Sequence, residues 1–225
     1  MASDARSDVS VWRPSTGVWY IYHSTGAGFS ATQFGMNGDK PVPSDYDGDG
    51  KTDPAVYREG IWYVYRSSDG SFVGYPFGLP SDLPVPADFD GDGKTDIAIY
   101  RSSIGYWGVL RSLDGGYLQE SWGIPEDIQV PGDYDGDGKT DVAVFRPSAG
   151  IWFVIRSHDG VVVSTSWGIE GDIPVPGDYD GDGKTDIAVF RSSNRTWSIL
   201  LSSEGSPRFI EWGIPGDEPI PGQHK

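Results

Sequence analysis

The sequence predicts an all-β chain built as a ring of repeated sheets, and three observations lead there. A nine-residue acidic stretch, D-(Y/F)-D-G-D-G-K-T-D, occurs at 45–53, 88–96, 133–141 and 178–186, with starts 43, 45 and 45 residues apart. A wider pattern runs five times: Trp at 19, 62, 107, 152 and 197, Arg at 13, 58, 101, 146 and 191, and an aromatic-Gly pair at 34–35, 77–78, 122–123, 167–168 and 212–213. Each unit offers four short runs rich in β-branched and aromatic residues, separated by turn signals, and no window has a helical period. Four strands in a repeat of about 40–45 residues match a propeller blade. The expected fold is a five-bladed β-propeller of four-stranded antiparallel blades in one domain, 1–225.

The blades are placed at about 8–35 together with 217–223, then 40–79, 83–124, 128–169 and 173–214. In the fourth, strands are expected at Ile128–Tyr134, Asp141–Arg146, Ile151–Ser157 and Val161–Ile169. Third strands are apolar on both faces, with Ile61, Tyr63 and Tyr65 on one and Trp62 and Val64 on the other, so another layer is needed on each side. Pro-rich first strands fit an inner edge, where a missing N–H is tolerated. The small residues Ser44, Ala87, Gly132 and Gly177 suit crowding near the axis. The N-terminal end supplies three strands and 217–223 a fourth, which would close the ring and remove its open edge.

The acidic stretch sets carboxylates at positions 1, 3, 5 and 9 and glycines at 4 and 6. Dense oxygen donors on a glycine-bent loop suit a hard cation taking six to eight oxygens, Ca2+. An EF-hand fits worse, because position 12 is Val56, Ile99, Val144 or Val189 where that loop needs Glu, and strands follow in place of helices. A solvated acidic turn is the plainer alternative, but it gives no reason for three alternating aspartates. A fifth loop, split between Gln223 and Asp4 and Asp8, is expected to form no proper site.

The DxDGDGxxD loop between strands, the aromatic-Gly pair and the small-Pro segment resemble FG-GAP/VCBS repeats, the units of integrin-α-like propellers. The resemblance covers 8–223. It implies one Ca2+ in each of four loops. The ligands it implies are Asp45, Asp47, Asp49, the Lys51 carbonyl and Asp53; Asp88, Asp90, Asp92, Lys94 and Asp96; Asp133, Asp135, Asp137, Lys139 and Asp141; and Asp178, Asp180, Asp182, Lys184 and Asp186. Units shorter than integrin blades, and five in place of seven, do not support an integrin-like ligand mode. The family's secreted or cell-surface members imply a glycan or extracellular protein as ligand.

Composition narrows the partners. The 33 acidic and 17 basic residues give a net charge of −16, which disfavours nucleic acid and anionic membranes. Four Ca2+ would cancel eight of those charges. Without cysteine there is no disulfide or thiol chemistry. No apolar stretch is long enough for membrane insertion. No signal peptide is recognisable, which does not argue for the cytoplasm, and weak calcium sites favour an exterior location.

Catalytic candidates are sparse. His23, His158 and His224 fall at unmatched repeat positions, and no Ser/His/Asp order stands out. Glu59, Gly108, Asn194-Arg195 and Leu201 break the repeat without forming a constellation. The third-strand tryptophans are expected between blades, with ligand stacking the alternative; Trp122, Trp167 and Trp212 are candidates for an exposed platform; and the recurrent Arg is expected to pair with an Asp between blades, with a ligand anchor the alternative. The functional expectation is a monomeric, non-enzymatic, calcium-stabilised binding module using weak inter-blade sites on multivalent surfaces. The alternatives are an accessory or catalytic domain of a secreted carbohydrate-active enzyme, or a structural scaffold.

Overall fold

The structure, a computed structural model, describes residues 9–22, 28–214 and 216–219. It is a five-bladed β-propeller, with five antiparallel sheets in a ring. The first blade shows β1 (Val9–Arg13), β2 (Val18–Tyr22) and β3 (Phe29–Gln33). The second holds β4 (Lys40–Pro41), β5 (Ala55–Arg58), β6 (Ile61–Tyr65) and β7 (Phe72–Pro76). The third holds β8 (Leu83–Pro84), β9 (Ile97–Arg101), β10 (Tyr106–Leu110) and β11 (Tyr117–Ser121). The fourth holds β12 (Ile128–Gln129), β13 (Val142–Arg146), β14 (Ile151–Ile155) and β15 (Val162–Ser166). The fifth holds β16 (Ile173–Pro174), β17 (Ile187–Arg191), β18 (Thr196–Leu200) and β19 (Pro207–Glu211).

Each four-stranded blade pairs its strands in chain order. The first strands are shorter than the sequence suggests because prolines interrupt the ladder: after Gln129 only the Val130 amide bonds Ala143, at 2.9 Å, before Pro131. Pairing resumes at single bridges, Ser44 to Asp53, Ala87 to Asp96, Gly132 to Asp141 and Gly177 to Asp186. These bridges hold together the two ends of each acidic loop. The closing strand expected over 217–223 lies largely outside the described residues, and 217–219 are irregular. The split loop at Asp4, Asp8 and Gln223 also lies outside them.

Alternation along the third strands gives the core its layers. In β6, Trp62 and Val64 are buried while Ile61, Tyr63 and Tyr65 are half-buried. Trp62 packs with Ile97 and Ile99 of the third blade, Trp107 with Val142 and Val144 of the fourth, and Trp152 with Val189 of the fifth. The tryptophans therefore form the inter-blade layers the sequence suggests. Their indole N–H groups are satisfied within the blade: Trp19, Trp62, Trp107 and Trp152 donate to the carbonyls of Phe34, Phe77, Trp122 and Trp167 at 2.9–3.0 Å. A buried indole with a partnered N–H gains apolar burial without a desolvated donor.

The repeat-breaking Glu59 and Arg195 have a backbone explanation. Both have positive φ, 51° and 60°, in the turns between second and third strands. Arg195 takes the position that Gly60, Gly105 and Gly150 hold in the other turns, and Glu59 is the residue before Gly60 in a shorter turn. A Cβ on Gly150 would stand 2.3 Å from the Gly168 carbonyl oxygen. Gly150→Ala is expected to destabilise by about 1–3 kcal/mol, combining strained φ with a backbone clash, as urea denaturation at unchanged m-value would show.

Candidate metal centre

Each acidic loop is wired by its own carboxylates. In the first, the Asp45 oxygens accept from the Gly48 and Gly50 amides at 2.7 and 2.8 Å, which curls the loop. This curl requires the left-handed φ of Gly48 and Gly50, 81° and 79°. Asp47 accepts the Asp49 amide at 3.1 Å and the Ser68 hydroxyl at 2.6 Å. The fully buried Asp53 accepts Tyr46 and Ser67 amides at 2.9 and 2.7 Å. Asp53 thereby ties the loop to the turn after β6. Asp96, Asp141 and Asp186 make the equivalent bonds to Ser112, Ser157 and Ser202 at 2.6–2.7 Å.

Positions 1, 3 and 9 converge in all four loops. Asp45, Asp47 and Asp53 each bring a carboxylate oxygen to within 4.8 Å of the others, as do Asp88, Asp90 and Asp96, then Asp133, Asp135 and Asp141, and Asp178, Asp180 and Asp186. Position 5 stands outside these triads. Asp49 accepts the Lys51 amide at 2.9 Å and pairs with its ammonium at 3.1 Å; Asp92 accepts the Lys94 amide at 2.8 Å. Asp137 and Asp182 accept the Ser157 and Ser202 hydroxyls at 2.9 Å. Lys51, Lys94, Lys139 and Lys184 each donate their amide to position 5.

The donor chemistry fits a hard cation. All converging donors are carboxylate oxygens. Burial pushes Asp53, Asp96 and Asp141 up, beyond what the amides of Ser67, Ser112 and Ser157 and of Tyr46, Phe89 and Tyr134 pull back. The neighbouring Asp47, Asp90 and Asp135 push in the same direction. A divalent ion removes both penalties. The four clusters can hold metal ions.

Position 2 anchors the loop from beneath. Tyr46, Tyr134 and Tyr179 donate to the carbonyls of Val42, Val130 and Val175 at 2.6–2.8 Å. Burial, then the charge of Asp53 or Asp141, drives the Tyr46 and Tyr134 phenols far above their ordinary range.

The recurrent Arg does pair with Asp, but within a blade. Arg58, Arg101, Arg146 and Arg191 hold Asp39, Asp82, Asp127 and Asp172 with two bonds each, at 2.5–2.9 Å. Those aspartates sit just before the first strand and accept the amide three residues back, as Asp82 does from Leu79 at 2.8 Å. Each pair thus clamps the connector from the preceding blade to the second strand of its own. For Asp39, burial opposes ionisation, but the Arg58 and Met36 bonds and the Arg58 charge outweigh it and lower the pKa. That contribution is complete above the ordinary carboxylate pKa and is lost as pH falls below it. The sequence signal was available: Asp lies 19 residues before each of these arginines. Arg101→Met is expected to cost about 3 kcal/mol by stranding buried Asp82, with Arg101→Met/Asp82→Leu recovering part of it; a denaturation double-mutant cycle checks this.

The platform tryptophans divide. Trp122 and Trp167 are half-buried and donate to the next blade, to the Phe153 carbonyl at 3.3 Å and the Ser198 carbonyl at 2.9 Å. Trp212 alone of the three is exposed, at 76%. His158 lies exposed in a turn, and His23 and His224 are outside the described residues.

Between the second and third blades lies a cavity of about 450 Å³, lined by Tyr46, Arg66, Asp69, Tyr75, Lys94 and Arg111 among others. The buried Arg111 Nε has no hydrogen-bond partner there. Between the third and fourth blades a smaller cavity of about 170 Å³ is lined by Trp122, Ile124, Val144, Arg146 and Phe153. Both open between blades, on unlike linings.

The FG-GAP-like repeat family matches residues 45–99 and 133–189. No curated protein matches the chain. Among solved structures, a virginiamycin B lyase from Staphylococcus aureus superposes with TM-score 0.61 at 11% identity, over 96% of this chain and 69% of that one. An Agrocybe aegerita lectin, described as recognising non-reducing terminal N-acetylglucosamine, gives TM-score 0.57 at 19% identity, over 85% of this chain and 58% of that one. The dihydro-heme d1 dehydrogenase NirN gives 0.54 at 14%, over 94% and 55%. At such identities the likeness is one of fold. With the acidic loops, the matched repeats and the five blades together, the chain is an FG-GAP/VCBS-repeat β-propeller.

Proposed function

We propose that the protein is an extracellular, calcium-stabilised, non-enzymatic binding module whose ligand is a glycan. Ca2+ is the cation the four loops suit, since each offers carboxylates alone at its converging positions and sits on a flexible glycine-bent backbone. The residues to hold it are the three convergent aspartates of each loop, with the position-5 carboxylate and position-7 carbonyl completing the oxygen set. The ion's contribution is structural: it fastens the turn between first and second strands and neutralises an otherwise repelling cluster.

The observation that carries the ligand reading is the cavity between the second and third blades. Tyr75, Asp69 and the unpartnered Arg111 Nε–H line it, in a volume of about 450 Å³. A hydroxyl-rich ring meets such a wall with stacking on one side and charged hydrogen bonds on the other. The glycan recognised by the similar lectin supports the ligand class.

The test is a glycan array probed with the protein in Ca2+ and in chelator. Calcium-dependent hits on a related set of sugars are expected, weakened about tenfold or more by Arg111→Ala, the loss of one charged hydrogen bond. A blank array, or hits unmoved by Arg111→Ala, would sink this assignment.

A further inference from the structure

Arg66, Arg111 and Arg156 occupy one repeat position, just after β6, β10 and β14. Each is followed three residues on by an aspartate: Asp69, Asp114 and Asp159. Arg111 pairs with Asp114 at 2.9 Å, and Arg156 pairs with Asp159 through two nitrogens, so both are neutralised within their own turns. Arg66 breaks the pattern. Its guanidinium lies 3.5 Å from the Tyr75 hydroxyl, and among the described residues it has no ion-pair partner. Tyr75 is peculiar to this blade, since the matching positions are Glu120 and Thr165.

Arg66 lines the cavity of about 450 Å³ between the second and third blades, together with Lys94 and Arg111. Lys94 likewise has no ion-pair partner among the described residues. Two carboxylates line the same cavity, but both are engaged by the protein. Asp47 accepts the Asp49 amide at 3.1 Å and the Ser68 hydroxyl at 2.6 Å, and Asp69 accepts the Ser71 amide at 2.8 Å. Ile97 and Leu110 complete the lining with apolar surface. The cleft therefore keeps two cations in reserve, on a chain whose net charge is −16. That net charge opposes an anion only at long range, because physiological salt screens charges more than about 8 Å apart.

We propose that this cavity selects an acidic glycan, with Arg66 and Lys94 holding the carboxylate of the sugar. The proposal rests on the glycan reading above and names the class of sugar within it. A guanidinium fork matches a carboxylate in plane and with two parallel bonds, and an ammonium adds a point charge. A neutral sugar offers hydroxyls alone and leaves both cations without a counter-charge.

Calorimetric titration of the calcium-loaded protein with matched charged and neutral sugars tests this. One pair is an oligogalacturonate and its methyl ester; the other is a sialylated oligosaccharide and its asialo form. The two pairs distinguish uronic from sialic acid as the source of the carboxylate. In at least one pair the charged member is expected to bind about tenfold or more tighter than the neutral one. Arg66→Gln/Lys94→Gln should erase that preference, while Arg66→Lys, which keeps the charge without the planar fork, should retain part of it. Arg66→Gln breaks no ion pair, so the fold is not at stake. Equal binding of charged and neutral members overturns the acidic selectivity and leaves the glycan reading standing. Binding of none of the four overturns the proposal too, and the glycan array then decides the broader reading. A charge preference that survives the double substitution overturns the assignment to this cavity.

Discussion

Adding about 2 mM Ca2+ to metal-stripped protein is expected to raise its thermal midpoint by ~15–25 °C. A site of Kd on the order of 10⁻⁴ M stabilises the folded state by about 1.8 kcal/mol at that concentration, so four contribute roughly 7 kcal/mol, at about 2–4 °C per kcal/mol for a chain of this size. The structure supplies the reason for so large a response: without a cation, Asp53, Asp96 and Asp141 are buried beside other carboxylates and pushed up by that burial. Asp90→Asn, at position 3 of one loop, should reduce the calorimetric stoichiometry from four to three and cost about 2 kcal/mol of the calcium-dependent stability. A midpoint indifferent to Ca2+ and to chelator would remove the ion from this account.

Trp107→Ala should cost about 3–5 kcal/mol, lowering the midpoint by about 10 °C or more. Trp107 is fully buried, packs against Tyr100 at 4.9 Å between ring centroids and donates to the Trp122 carbonyl at 3.0 Å. It also contacts the layer that Val142 and Val144 contribute from the fourth blade. Its truncation opens a cavity between two blades and loosens the pair together. Trp107→Phe should retain more than half of that stability. Trp212→Ala, on an exposed ring, should change monomer stability by less than about 0.5 kcal/mol. Thermal melts of the three variants in saturating Ca2+ make the comparison.

Most of the architecture was legible because repetition multiplies weak signals. One Trp in an apolar run says little; five at fixed spacing with an aromatic-Gly pair 15 residues on define a blade. First-strand lengths were not legible, since Pro43, Pro86, Pro131 and Pro176 interrupt the ladder just after the Val42, Val85, Val130 and Val175 amides have bonded. The triads of positions 1, 3 and 9 could be placed from spacing, whereas the departure of position 5 depends on local bonds to Lys51, Ser157 and Ser202. The Arg partners were misplaced between blades because the pairing is set by the connector turn: Asp82 reaches Arg101 only because its other bond holds the Leu79 amide. The unequal clefts were invisible as well. They depend on which residue faces an interface, Arg111 in one and Phe153 in the next, and the repeat is least regular there.

The loops are also linked to one another around the ring. A Cβ on Gly48 would touch the Lys94 side chain at 2.8 Å, one on Gly91 would touch Lys139 at 2.9 Å, and one on Gly136 would touch Lys184 at 2.7 Å. Beneath each lysine a backbone bond crosses the same boundary, from the Thr95, Thr140 and Thr185 amides to the Asp45, Asp88 and Asp133 carbonyls at 2.6–2.7 Å. An ion ordering one loop therefore also orders part of the loop before it. The four loops are linked nearest-neighbour, as stacked repeats are, so ion occupancy is expected to spread as a domino line falls, each filled loop lowering the entropic cost of ordering the next.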